Sequence, residues 1–551
     1  MAVSCTVKPT LTSSLKTDDR KTSFSQEESL DPKFLLGLSV VILTAMVVSI
    51  ASFWYAHPVL QWPDQSMYLG MADLYLDGYR PYVDMVDFNP PLILYINLIP
   101  AMMARAFHLH IIVAFSGFVI GLIVLSLLLS GFMMWQQKSR KEAFFYLPIL
   151  MGFVYSTQDL TFDFGQREHL LILTYLPFFV LRYFRWNDAP INKYLAILCG
   201  LYAGSCLSLK PHFLIMAAAP ELIYLLQTRK WRPIFKPEVF AVGAFGLIYG
   251  AHFIFIDPAV REQFFSFVIP LVKNGYDYYC VSSIKILADF SRPNTYSFVA
   301  ALLMAFFMRR SCPFLAPVSA FTLSSFVIYL FASQDWSHHW YPVLFGSYVL
   351  IALEMAVAIR FLCRASEHAR LINLYMSSVL VAVVVLGVSA RNIQAANPPP
   401  DVKRFDLKEI GYQGSCPFDD LGVWGDLVLK NTSKGDKILF ISDAIAPGYP
   451  STLQTERKPA SRYLHGMPLM MAKYLAFEKD GVKDKEQFES WVQRIIQEYG
   501  EDIAKNKPTL IVIRNTGIME PLKQGQFFEK YMTNYEQFQN IDEHFIYHRK
   551  K

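Results

Sequence analysis

Asp64-Gln65-Ser66-Met67-Tyr68, then Gly78-Tyr79-Arg80-Pro81-Tyr82, then Asp84, Asp87 and Asn89-Pro90-Pro91, follow directly on the first long apolar run of the chain, Phe34 to Tyr55. Asp64, Asp84 and Asp87 therefore stand at a membrane surface with no matching cluster of cations nearby. Carboxylates are costly to place beside lipid and tend to mark a substrate path or a reactive centre. This segment fixes the reading of the rest: a membrane protein whose chemistry sits just past its first span.

The chain has 551 residues, of which 53% are hydrophobic, and its mean hydropathy is +0.27. The apolar residues come in runs, and a straight helical crossing takes ~20 residues. Runs near 34–55, 111–134, 143–158, 169–184, 194–209, 212–228, 238–256, 296–308, 313–333, 341–359 and 371–390 predict an α-helical polytopic protein with about eleven spans. Pro91 to Phe107 is different. It opens with Pro-Pro and carries Asn97, Pro100 and Arg105, so it reads as an amphipathic helix lying on the surface.

Loop charge sets the orientation. With the N-terminus in the cytoplasm, the cytoplasmic segments hold 20 Lys and Arg residues and the opposite loops hold 8, as the positive-inside rule requires. Counting 91–107 as a span would invert that bias. Residues 1–33 are polar and read as a disordered cytoplasmic tail, 34–390 as the membrane domain. After Pro398-Pro399-Pro400 the composition changes. Ile438 to Ser442 and Thr509 to Ile513 read as buried strands and Gln487 to Ala504 as a helix, so 391–551 is predicted to be an extracytoplasmic α/β domain on the same side as Asp64.

Other classes find little support. The net charge of +5 is small and spread over loops, so nucleic acid is not an expected partner. The seven cysteines form no CxxC pair, which argues against a zinc site or a disulfide framework.

Asp64 to Leu76 has helical character, and a carboxylate at or near a helix N-cap is the ordinary reading of Asp64. The functional reading rests on company: Asp84 and Asp87 on the same loop, and Asp159, Asp163 and Glu168 on the next loop of the same side. Two acidic loops facing one cleft suit activation of a hydroxyl nucleophile by a carboxylate base.

The combination of Asp64, Tyr68, Gly-x-x-Pro-Tyr, a further Asp and Pro-Pro resembles the first extracytoplasmic loop of the GT-C glycosyltransferases: the lipopolysaccharide-core sugar transferases, the aminoarabinose transferase of lipid A and the protein mannosyltransferases. The resemblance covers 34–390 in layout, and only 64–107 and 159–177 in motif. It implies a bacterial inner-membrane enzyme that takes a sugar from a polyprenyl-phosphate donor and passes it, with inversion, to a hydroxyl of a glycolipid, lipopolysaccharide, glycan or protein. Asp64 matches the catalytic base, and Asp163 or Glu168 a second acidic group that orients the acceptor. Relatives often show an acidic pair where this chain has Asp64-Gln65, which weakens the case for a divalent metal, and Lys before Pro-Pro where this chain has Asn89. The phosphate still needs partners as charge develops. Candidates are Arg167, Lys210, His338, His339 and the Tyr79 and Tyr82 hydroxyls, with Asp84, Asp87 and Asn89 lining the substrate site.

Bland readings stand beside several of these. Lys210 can snorkel to the interface, and the aromatics of Trp336-Ser337-His338-His339-Trp340-Tyr341 suit an interfacial belt. The His pair lacks a third zinc ligand at suitable spacing. Asp443, Arg462 and His465 could touch an acceptor or be simply solvated. Two rivals remain: a glycolipid transporter or flippase, in which the carboxylates relay protons, and an O-antigen ligase or polymerase. Against transport stand the missing internal repeat and the missing matched, broken helices.

Overall fold

A computed structural model describes residues 63–136, parts of 148–160, 163–288, 295–362 and 420–550. The predicted tail, the runs at 34–55 and 371–390, much of 143–158, Asp159 and the triple proline lie outside these residues.

The acidic stretch folds as two helices around a turn. Helix α1 (Pro63–Leu76) opens on a proline, which suits the first helical turn, and ends ahead of Gly78, whose φ of +91° other residues rarely adopt. Helix α2 (Leu92–Phe107) starts behind Pro90-Pro91 and stops where His108 turns left-handed. Arg105 near its end bonds Asp73 (2.6 Å) and Asp77 (2.8 Å), which holds the pair antiparallel. Burial of α2 is one-sided: Leu92, Ile93, Asn97, Ala101 and Ala104 face inward, while Ile99, Met102 and Phe107 are exposed.

The helices that follow match the apolar runs to within a few residues: α3 (Ile111–Gln136), α4 (Arg167–Trp186), α5 (Lys193–Leu207), α6 (Phe213–Thr228), α7 (Pro237–Phe255), α8 (Thr295–Met308), α9 (Leu315–Ala332) and α10 (Ser337–Leu362). Among the described residues, four helical stretches are long and apolar enough to cross a membrane: Ile111–Met134, Pro237–Phe255, Leu315–Ala332 and Ser337–Ala358. Helix α4 is the axis of the bundle, nearly every residue buried, packed on α3, α5 and α10. Helices α5 and α7 approach closely because position 200 is Gly: a Cβ there would lie 2.3 Å from the Glu238 carbonyl oxygen. Phe240, Leu247, Ile248, Ile254 and Phe255 on α7 point outward, as a lipid-facing helix requires.

One correction concerns loop charge. Arg182 and Arg185, counted as loop cations, belong to a buried cluster at the far end of α4. Arg182 pairs with Glu221 (2.7 Å) and Glu238 (2.8 Å), and Arg185 pairs with Glu238 (3.0 Å).

The C-terminal region carries a five-stranded sheet in the order β2-β1-β3-β5-β4. Strands β1 (Lys437–Ile441) and β3 (Leu510–Arg514) are parallel at its centre and coincide with the two predicted apolar runs. Alternate residues feed two layers. Leu439, Ile441, Ile511 and Ile513 pack on the helix Lys485–Asn506, while Ile438, Phe440, Leu510 and Val512 pack on the helix Asp420–Asn431. The short β2 (Lys458–Pro459) and the antiparallel hairpin β4 (Tyr535–Ile541) and β5 (His544–Arg549) complete it.

This region lies against the acidic loop. Tyr82 and Val86 join the same apolar core as Ile441, Leu469 and Trp491, together with Phe264, Phe267 and Leu271 from the segment after α7. The Val86 N–H donates to the Arg462 carbonyl (2.6 Å), and Tyr449 fills the space above Gly70. Lys458 also bonds Asp77 at 2.8 Å, but both side chains are solvated. Exposed pairs contribute 0–1 kcal/mol, so Lys458→Ala should cost less than ~1 kcal/mol in thermal melts, the apolar core keeping the two regions docked.

Candidate active site

Six separate segments converge around Asp64. Helix α1 opens at Pro63, so Asp64 lies in its first turn, in keeping with a place at or near the N-cap. It is half-buried, and its Oδ2 accepts a hydrogen bond from Gln166 Nε2 at 2.9 Å. That contact brings in the 163–168 turn. Gly165 is needed there twice over: its φ is +81°, and a Cβ would lie 2.4 Å from the Phe115 ring. The Gly165 N–H donates to His169 Nδ1 (2.9 Å), so His169 stabilises the turn from within the core.

From this turn α4 begins, with its first residues at the site. Arg167 is buried, its guanidinium 5.4 Å from the centre of the Tyr68 ring, and Nη1 donates to Asn89 Oδ1. Its Nε, also buried, has no hydrogen-bond partner among the described residues. Glu168 is paired with Lys210 at 2.5 Å, and Lys210 Nζ stands 3.3 Å from His339 Nε2. Burial, with Arg167 alongside, lowers the Lys210 ammonium to about 8 against the pull of Glu168. His338 is buried, and neither ring nitrogen has a hydrogen-bond partner among the described residues. The Asp64 charge reaches Tyr68, Asp163, Arg167, Lys210, Tyr276 and His338, so one field links the acidic loop to these groups.

The arrangement sorts the residues proposed from sequence. Asp64, Asp163, Arg167, Glu168, Lys210, His338 and His339 come together, with Asn89 bonded to Arg167 and Asp87 bonded to Asn89. Asp84 does not join them. It pairs with Arg80 (2.9 Å) at the surface. Tyr79 also stands apart, within the field of Lys458. Tyr82 is buried, and its hydroxyl donates to the Asn89 carbonyl (2.6 Å), so it shapes the turn before Pro90. In the C-terminal region Asp443 pairs with Arg514 (2.7 Å) and Arg462 with Asp502 (3.0 Å). His465, which the sequence equally allows to be solvated, is buried against Asp87. Tyr276, missed as a site residue, packs its ring 6.0 Å from Phe88 and 6.1 Å from Trp336. Its Lys-Asn-Gly-Tyr context reads as an interfacial belt, and nothing local distinguishes it.

The His pair does gain a third donor. Glu168, His338 and His339 each place a ligand atom within 4.8 Å of the others. The set fits a divalent cation by donor type, and the missing ligand comes from a different helix, where spacing along the chain does not reveal it. Lys210 already supplies a positive charge to the same carboxylate.

Asp163 is buried and pushed up to about 7, first by burial and then by the Glu168 and Asp64 charges, against a hydrogen bond from Ser337. The folded protein therefore holds this proton more tightly than the unfolded chain, whose value is near 3.8. Stability from this group is complete below that value and is lost as pH rises through about 7. Asp163→Asn should accordingly melt at a higher temperature than the parent at pH 8, with the advantage shrinking toward pH 5. An equal difference at both values would contradict the shift.

No family profile and no curated protein matches this sequence. The fold is shared with solved structures of a GT-C glycosyltransferase. Its neighbours among solved structures include ArnT, the lipid A aminoarabinose transferase, from Cupriavidus metallidurans bound to undecaprenyl phosphate, with a TM-score of 0.59 and 11% identity over 94% of this chain and 98% of that one. The apo state of the same protein gives 0.54 at 11% identity over the same shares. At this identity the likeness is one of fold.

Proposed function

We propose that this protein is an integral membrane glycosyltransferase acting on the extracytoplasmic face, with a polyprenyl-phosphate-linked sugar as donor and a hydroxyl of a glycolipid, glycan or protein as acceptor. The observation that carries this reading is the convergence of a half-buried carboxylate, Asp64, with the buried Arg167 and the half-buried Lys210 at the first turn of α4. A helix N-terminus and two cations suit an anion, here the phosphate of the donor. The fold neighbour solved with undecaprenyl phosphate supports the same donor class.

The chemistry follows from the groups present. The acceptor oxygen attacks the anomeric carbon from the face opposite the phosphate, and Asp64 takes its proton as the new bond forms. The bond from anomeric carbon to phosphate oxygen breaks, and the electron pair stays on that oxygen. Arg167 and Lys210 stabilise the charge that develops there. Many members of the family this chain resembles carry a lysine before Pro-Pro. In this chain Asn89 stands at that position and holds Arg167, so the cation reaches the phosphate from α4 instead. Lipid burial of the donor chain supplies ground-state binding, leaving the polar groups to favour the transition state.

The test is release of polyprenyl phosphate by the purified protein from a panel of undecaprenyl-phosphate sugars, with membrane glycolipid extract as acceptor. Acceptor-dependent release from at least one donor is expected. Transport of the intact lipid without release would favour the flippase reading.

A further inference from the structure

Residues 86–89 are gripped from both sides. On one side Asn89 Oδ1 accepts from Arg167. On the other, the Asn89 side-chain amide and its backbone N–H both donate to Asp87, at 3.0 Å each to Oδ2. An amide with its nitrogen held by a carboxylate must turn its oxygen away, and here that oxygen meets Arg167. Asp87 thus decides which way Asn89 points. Asp87 is 1% exposed, and a buried carboxylate needs more than one amide to hold it in place.

Besides Tyr68, Tyr82 and Tyr276, which lie within reach of its charge, Asp87 faces His465, which arrives from the C-terminal region between β2 and the helix Met467–Lys473. His465 is also 1% exposed, with Nε2 3.6 Å from Asp87 Oδ1 and neither ring nitrogen hydrogen-bonded among the described residues. The Phe88 ring stands edge-on to it at 4.9 Å, and the Val86 bridge to Arg462 fixes its distance from the loop. A histidine used only for packing leaves its nitrogens against carbon. This one presents a nitrogen to a buried carboxylate of the other region.

We infer that His465 is a positioning residue of the donor site: through Asp87 and Asn89 it fixes the Arg167 guanidinium toward the donor phosphate. The C-terminal region thereby completes the site. The inference rests on Arg167 meeting that phosphate, as proposed above.

Binding of undecaprenyl phosphate to the full-length protein in nanodiscs, with thermal melting in parallel, tests it. His465→Phe keeps the size of the ring and removes its nitrogens. It should weaken binding about tenfold, the size of a coupling within one polar network, with melting little changed. His465→Gln, which keeps a polar N–H facing Asp87, should recover most of the loss. In an Arg167→Gln background His465→Phe should add nothing further. If the phenylalanine variant does not fold, His465→Met serves in its place with the same expectations. Binding like the parent's in a folded His465→Phe or His465→Met variant, or an undiminished tenfold loss on top of Arg167→Gln, overturns the inference. Failure of the parent to bind, or of Arg167→Gln to weaken binding, instead overturns the reading of the donor site, and this inference with it.

Discussion

Asp64→Asn should lower turnover by ~10²–10⁴, the range expected for a lost general base, while the affinity for undecaprenyl phosphate stays within about twofold. The amide keeps the shape of the side chain, and its oxygen can still accept from Gln166 Nε2, so the contact between α1 and the 163–168 turn survives. What the amide loses is the capacity to take a proton from the acceptor hydroxyl. The expected signature is therefore a fall in kcat with donor binding and melting temperature retained. A structural role for Asp64 predicts the reverse pattern: a lower melting temperature, with rates per folded molecule unchanged. Steady-state rates and thermal melts on the same preparation separate the two.

Arg167→Gln is the second large effect. Removing one preorganised donor to a developing anion costs ~10²–10³ in rate, and here the lost group also carries a full charge. Arg167→Lys should recover only part, because a lysine ammonium cannot reproduce the planar fork that bonds Asn89 while leaving Nε for a ligand. Lys210 cannot substitute, being held by Glu168 at 2.5 Å. The ratio kcat/KM, measured with one donor at fixed acceptor, reads the effect. An Arg167→Gln enzyme with the parent's kcat/KM contradicts any role at the phosphate.

The sequence and the fold agree where the signal is local. The apolar runs bound α3 to α10 to within a few residues, and two short apolar runs are the central strands β1 and β3, because parallel strands buried on both faces read as continuous hydrophobic stretches. The β4–β5 hairpin escapes for the complementary reason. Its edge strand is exposed and polar, and it turns through Asp542-Glu543 without a glycine. In the site, the residues at helix starts are legible, since Asp64, Arg167 and Glu168 occupy the first turns of helices that run on into apolar residues. Distance along the chain misleads elsewhere. Asp84 is three residues from Asp87 yet turns outward to Arg80, while Asp87 turns inward to Asn89. His465 lies 378 positions from Asp87, and no periodicity connects them. Such pairings are set by the docking of the C-terminal sheet on the acidic loop, a tertiary event with no trace in local pattern.

The most direct measurement is photocrosslinking of the full-length protein in nanodiscs with undecaprenyl phosphate carrying a photoreactive group near the phosphate, followed by mapping of the labelled peptides. Labels on 87–91, 163–168 and around Lys210, competed away by unlabelled undecaprenyl phosphate and lost in Arg167→Gln, are predicted. Competed labelling confined to other segments, and unchanged in Arg167→Gln, would contradict a donor site built on Asp64, Arg167 and Lys210.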